Sequence, residues 1–276
     1  MSITSGSDLA AAIAAGIIGG ISKASMTTKG AGLWQSLWKA TGQPGAGASP
    51  PAYTAGSGYT PTKATAGAFS FGNPTGPALS YLAQLRANSS VVGTLYLVDR
   101  LWHCSGFDST VLTAQSITTP GTLPSGRDPN TGADVEPWIE IYTPPGATGA
   151  SWDLTGTDAL GATTKNWRYT HPASAEVAGQ MSPMFSGGAA PSTCHGIRVP
   201  VSMLCSISSG TAGNFGITLL RRICELPMNP ANMTSVLDAI GCGLPRIYDD
   251  SCLALMVLCS AATSGIIQGG ILIGQK

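Results

Sequence analysis

The sequence predicts a mainly β protein: an antiparallel β-sandwich or jelly-roll-like domain with an N-terminal helix, an extended arm and one or two short helices. Three observations carry that expectation. The run VVGTLYLVDRLWHC (91–104) alternates from Thr94 onward, with Leu95, Leu97, Asp99 and Leu101 on one side and Tyr96, Val98, Arg100 and Trp102 on the other. Successive side chains of a strand point to opposite faces, so this reads as a long strand buried on much of both sides. The last third of the chain repeats strand-length apolar runs separated by turn residues, and 36 glycines and 19 prolines supply turn chemistry throughout. Asp99 and Arg100 interrupt the long strand, and charges inside a sheet need partners, here expected from other segments.

Taken in order, Ser7 or Asp8 can cap a helix running through LAAAIAAGIIGGISKA (9–24), with Leu9, Ile13, Ile17 and Ile21 on one stripe. Small residues around that stripe suit close docking, and the lack of charge does not suit a membrane-surface helix. Leu33, Trp34, Leu37 and Trp38 have the spacing of a short amphipathic helical turn. The Gly/Pro/Ala/Ser string that follows cannot continue it and should be extended. This segment either wraps over a partner or tucks its tryptophans back into its own domain. Ala68–Phe71 is a candidate short strand. Pro77 opens a predicted helix, PALSYLAQLRANSS, because proline suits a first helical turn. Strands are then expected within 107–119, 137–142, 150–154 and 167–169, and long loops at 120–135 and 172–192. The runs 196–208 and 213–226 read as strands, Ala231–Ile240 as a helix after Asn229-Pro230, and 251–262 with 266–273 as a hairpin around Thr263-Ser264-Gly265. The domain division expected is 1–60 as helix and docking arm and 61–276 as the β core.

Charged residues make up 10% of the 276 residues, against about 25% in an ordinary soluble domain. Lys plus Arg equals Asp plus Glu at 14 each, so the formal net charge is zero. Neutral chains with few surface charges tend to associate. A glycine-rich secreted protein and a subunit hidden against neighbours both fit, and the second fits better. Without a basic excess, nucleic acid is not expected as the main ligand. No apolar run reaches the roughly 18 residues of a membrane span, and Met1–Ser7 carries no Lys or Arg of the kind that opens a signal peptide. A chain made and kept in the cytoplasm until incorporation is the expectation.

Few residues invite chemistry. The seven cysteines form no CxxC pair, so buried thiols are expected, with a disulfide such as Cys242 to Cys252 left open. His103-Cys104 and Cys194-His195 are adjacent pairs, and neighbours on a strand face opposite ways, which argues against a dyad within either pair. Asp249-Asp250 lacks the further oxygen ligands of a cation loop. Glu136 and Glu140 flank Trp138 but would lie about 13 Å apart on a strand, beyond the roughly 6.5–9.5 Å of an inverting glycosidase. No nucleophile elbow, Walker loop or dinucleotide fingerprint is present. No catalysis, cofactor or metal is expected.

Three segments in order, LWQSLWKATGQPGAGASPP (33–51), GTLYLVDRLWHCSGF (93–107) and EPWIEIYTPPGATGA (136–150), carry a resemblance. They are similar to virion proteins of tailed bacteriophages, in which an LW.ATG.P..GA.P stretch precedes an LYDRLWHCSG-like and a WLE.YT.TGAT-like strand. The resemblance spans most of the chain from Leu33 onward and brings no catalytic residues. It implies a capsid-associated structural component, such as a minor capsid, cement or decoration protein, residing in the virion after synthesis in the bacterial host cytoplasm. Its implied partners are copies of itself and other virion proteins, the major capsid protein among them. Leu33, Trp34, Leu37, Trp38, Tyr53 and Tyr59 are the expected partner contacts. The alternative is a receptor- or glycan-binding protein at the tail or head surface, using loop aromatics Trp138, Trp152, Trp167 and Tyr169.

Overall fold

A computed structural model describes residues 3–28, 30–47, 56–118, 123–173, 176–186, 195–206, 208 and 213–276. The chain begins with helix α1 (Gly6–Ala14), which Ser5 caps by accepting the Asp8 N–H. Asp8 pairs with the Lys276 ammonium at 2.6 Å, which holds its carboxyl well below the usual carboxylate range. The main strands follow: β1 (Ile17–Lys23), β2 (Leu33–Ser36), β3 (Ser80–Ser89), β4 (Gly93–Asp108), β5 (Glu136–Thr143) and β6 (Ala150–Thr157). After these come β7 (Lys165–His171), β8 (Gln180–Pro183), β9 (Val199–Cys205), β10 (Asn214–Met228), β11 (Leu253–Cys259) and β12 (Ile267–Gln275). These strands pair antiparallel, and the protein is mainly β with one N-terminal helix, in keeping with the alternation in the sequence.

The chain divides into two compact units, one of residues 1–47, 62–99 and 222–276, the other of residues 48–61 and 100–221. The dividing points fall inside β4 and β10, so the division differs from the one expected at residue 60. In the first unit, one sheet runs in the order Ser235–Leu237, β3, β12, β1, Gly42–Gln43. Against it lie β2, β11 and the first half of β4, with β11 paired to both neighbours. Leu82, Leu85, Ile271 and Ile273 from one layer meet Leu95, Leu97, Leu255 and Val257 from the other, a sandwich core. In that unit Asp99, buried in β4, accepts from the Ser251 hydroxyl at 2.8 Å and the Cys252 N–H at 2.9 Å.

In the second unit, a five-stranded sheet runs Phe185–Ser186, β7, β6, β9, Gln115–Ser116. Its inner side chains, Trp152, Leu154, Trp167 and Met203, pack against Ile139, Ile141, Phe215 and Ile217 of β5 and β10. Trp152 stacks on Phe215 at 4.1 Å between ring centroids, and Phe107 joins Phe215 at 5.6 Å.

Several predicted helices are strands. Residues 17–23 leave the helix expected over 9–24 and form β1, and the helix expected after Pro77 is β3. The turn at Leu33–Trp38 is strand β2 followed by a short 3₁₀ turn, Leu37–Lys39. Within Ala231–Ile240 there is a three-residue strand, Ser235–Leu237, and Ala68–Phe71 is irregular. The runs expected as a terminal hairpin, β11 and β12, belong to different sheets. Among the described residues, no helix is long and apolar enough to cross a membrane.

Candidate functional site

The densest polar cluster lies in the second unit and is built on three neighbouring strands. β4 supplies His103, β5 supplies Glu140 and Tyr142, and β10 supplies Thr218. Glu140 and Tyr142 share a face because they stand two residues apart on a strand. The Thr218 and Tyr142 hydroxyls donate to Glu140 Oε2 at 3.2 and 3.0 Å. The same two oxygens stand 2.8 Å from His103 Nδ1 and Nε2. Both imidazole nitrogens thus have a hydroxyl partner, and the donor in each contact follows from the imidazole tautomer. His103, Glu140 and Thr218 are at most 1% exposed. These four groups form a hydrogen-bonded ring in the interior of the unit.

A second histidine is held in the same way. His171 Nε2 donates to the Gly146 carbonyl at 2.8 Å, and its Nδ1 lies 3.2 Å from Glu176 Oε2. Glu176 also accepts from the Tyr169 hydroxyl and from Gln180 Nε2 at 3.2 Å. The buried carboxylate and the burial itself push the Tyr169 hydroxyl far above its ordinary pKa, burial contributing most. Trp152 stacks on His171 at 5.0 Å.

Among the described residues, the other chemical candidates are not assembled into a centre. Cys104, Cys205, Cys224, Cys242 and Cys259 carry free thiols, and burial pushes Cys104, Cys205 and Cys224 up to about 12. Cys194 lies outside the described residues, and His195 is exposed. Among the described residues, no group of three or more His, Cys, Asp or Glu could hold a metal ion. Glu136 accepts from its neighbour Trp138 Nε1 at 3.1 Å, while Glu140 serves the ring. Asp250 pairs with Lys63 at 3.1 Å and accepts from Asn73.

The expected partner contacts are largely internal. Leu37 and Trp38 are buried in the first unit, where Gly67 at φ +92° lies against Trp38 and a Cβ there would stand 2.7 Å from its Cβ. Trp34 packs on Tyr96 at 4.4 Å, and Leu33 pairs with Cys259 across β2 and β11. Tyr53 lies outside the described residues. Tyr59 is 37% exposed, its strand Gly58–Tyr59 pairs with Cys104 and His103, and its ring meets His103 edge-on at 5.5 Å. The tryptophans therefore anchor their own unit. The loop aromatics of the glycan reading are also internal: Trp138, Trp152 and Trp167 are buried on β5, β6 and β7.

Two features have no counterpart among the sequence expectations. Lys23 is 1% exposed, with its ammonium donating to the Ala40 and Pro44 carbonyls, and burial lowers its pKa to about 8. It follows Ile17, Gly19 and Ile21 on the inward face of β1, so the period of two forces a charge inside. The outward face of the same sheet mixes uncharged polar side chains with exposed apolar ones and carries little charge: Ile18 is 77% and Val236 54% exposed, and the loop residue Ile240 that follows the edge strand is 87% exposed. Period-two reading of 17–23 as a strand is the signal that would have found both.

Set against known proteins, the chain matches no family model, no curated protein and no solved structure.

Proposed function

We propose that this chain is a non-enzymatic structural subunit of a tailed-bacteriophage virion, associated with the capsid and working through contacts with neighbouring subunits. The observation that carries the reading is the outer face of the first unit's sheet, where Ile18 and Val236 are exposed and Leu272 half-buried among Ser22, Gln84, Asn88 and Gln268, with Arg86 as the charge among them. Exposed apolar side chains on a sparsely charged face gain by losing water to a partner. The ionisable groups that invited catalytic readings are used in structure, as the His103 ring illustrates. The segments 33–51, 93–107 and 136–150 supply the virion setting through their resemblance.

The contact surface proposed is the sheet face, in place of the tryptophan anchor, because Leu37 and Trp38 are needed in the core. Cosedimentation with particles assembled without this chain tests the proposal. Saturable binding of a fixed number of copies supports it. No binding at any concentration, or binding that simple sugars compete away, overturns it.

A further inference from the structure

Across the outer face of the first unit's sheet, strand register sets two rows of side chains. In one, Val236, Arg86 and Gly270 follow one another over three strands, and in the next Gln84, Leu272 and Ile18 do so. Because Gly270 has no side chain, a cavity of about 160 Å³ opens between Ile18, Leu272 and Arg86, with Gln84 and Ile271 completing its walls. That is roughly five times the 30 Å³ share of one water in the liquid, room enough for an aliphatic side chain. The Arg86 guanidinium lies along it, with Nε 3.6 Å from where a Cβ on Gly270 would stand. Beside this furrow, past Val236, the chain turns at Asp238, whose Oδ1 accepts the Ile240 and Gly241 N–H groups at 3.1 and 2.8 Å. The turn holds Ile240 out, at 87% exposure the most exposed large apolar side chain among the described residues.

One surface thus carries a knob with a carboxylate and a furrow with a cation. A two-fold interface uses the same patch on both subunits, so it must contain both halves of each contact. We propose that this face docks a second copy of the chain about a two-fold axis, placing Ile240 of each copy in the furrow of the other and Asp238 against Arg86. The charge pair fixes orientation and the isoleucine supplies burial. This inference stands on the purified chain alone and survives or fails apart from the virion reading.

Sedimentation velocity of the full chain over a concentration series tests it, with Ile240→Glu, Arg86→Asp and the double variant Arg86→Asp/Asp238→Arg. The expected result is a dimer that each single substitution weakens by at least about tenfold, a change of about 1.4 kcal/mol, and that the charge exchange restores. The three variants are read only after thermal melts show wild-type folding, which the exposure of Ile240 and Arg86 favours. A monomer at every concentration overturns the proposal. So does a dimer whose affinity ignores the single substitutions, and a double variant as weak as Arg86→Asp overturns the pairing.

Discussion

The His103 imidazole and the Glu140 carboxylate lie 4.0 Å apart and are bridged twice, through the Thr218 and the Tyr142 hydroxyls. The ring ties β4, β5 and β10 of one unit together without exposing a reactive group. Removing one member leaves the others buried and short of a partner, the costly way to disturb such a network. Glu140→Ala is expected to lower the unfolding free energy by about 3–5 kcal/mol, measured by urea denaturation. A loss under about 1 kcal/mol would show the ring to be incidental.

Residues 1–60 are expected to be indispensable for folding. β1 pairs with β12 over seven residues and Leu37 and Trp38 sit in the core, so deleting this stretch strips β12 of its partner along one side of the sheet and leaves a hole in the core. The truncated chain should aggregate or show no cooperative melt by circular dichroism. A truncated chain that melts like the full one would return the segment to the role of a detachable arm.

Trp38→Ala should behave as a core mutation, costing about 3–5 kcal/mol, whereas Tyr59→Ala, partly exposed, should cost far less. Equilibrium unfolding of both variants checks the order. The reverse order would place the anchoring contact outside the molecule.

Lys23 gives the protein an unusual alkaline response. Its folded pKa is about 8, below the roughly 10.4 of an unfolded lysine. Below pH 8 both states hold the proton and the burial cost is present in full. Between the two values the unfolded state binds a proton the folded state has lost, so the contribution of Lys23 to stability rises with pH, by up to about 3 kcal/mol, against the opposite slope of the raised thiols. Lys23→Met should lack this rise when unfolding is compared at pH 7 and pH 10. Parallel pH profiles for the two proteins would contradict the assignment.

The thiols should be inert in the native state. Cys104, Cys205 and Cys224 are pushed up to about 12 and Cys259 to about 11, leaving almost no thiolate at pH 8. Iodoacetamide followed by intact mass should find these four unmodified until urea is added.

Much of the strand content was legible because alternation survives in β4, β5 and β11. Two misreadings have physical causes. Ile13, Ile17 and Ile21 repeat at four, which is close to a helical turn and also twice the strand period, so spacing alone could not separate the two. In β3, Leu82 and Leu85 repeat at three, which suggests a helix. The register skips Ala83, since Leu272 faces Gln84 and Ile273 faces Leu82. That bulge inserts one residue and turns both leucines inward on a strand. The two-unit division was hidden because it falls within β4 and β10, where no linker composition marks it. Of the candidate site, Trp34 and Trp38 were visible as a pair, but burial in their own unit depends on Tyr96 and Gly67, far along the chain. Ile240 was not legible because exposure of a single apolar side chain has no sequence signature.

The proposed virion role requires the chain to be a multicopy part of a particle. Quantitative mass spectrometry of gradient-purified particles, with the chain counted against the most abundant shell protein, measures this directly. A fixed multicopy ratio, unchanged after a high-salt wash, is the predicted result. Recovery of the chain only in the unassembled fraction would contradict it.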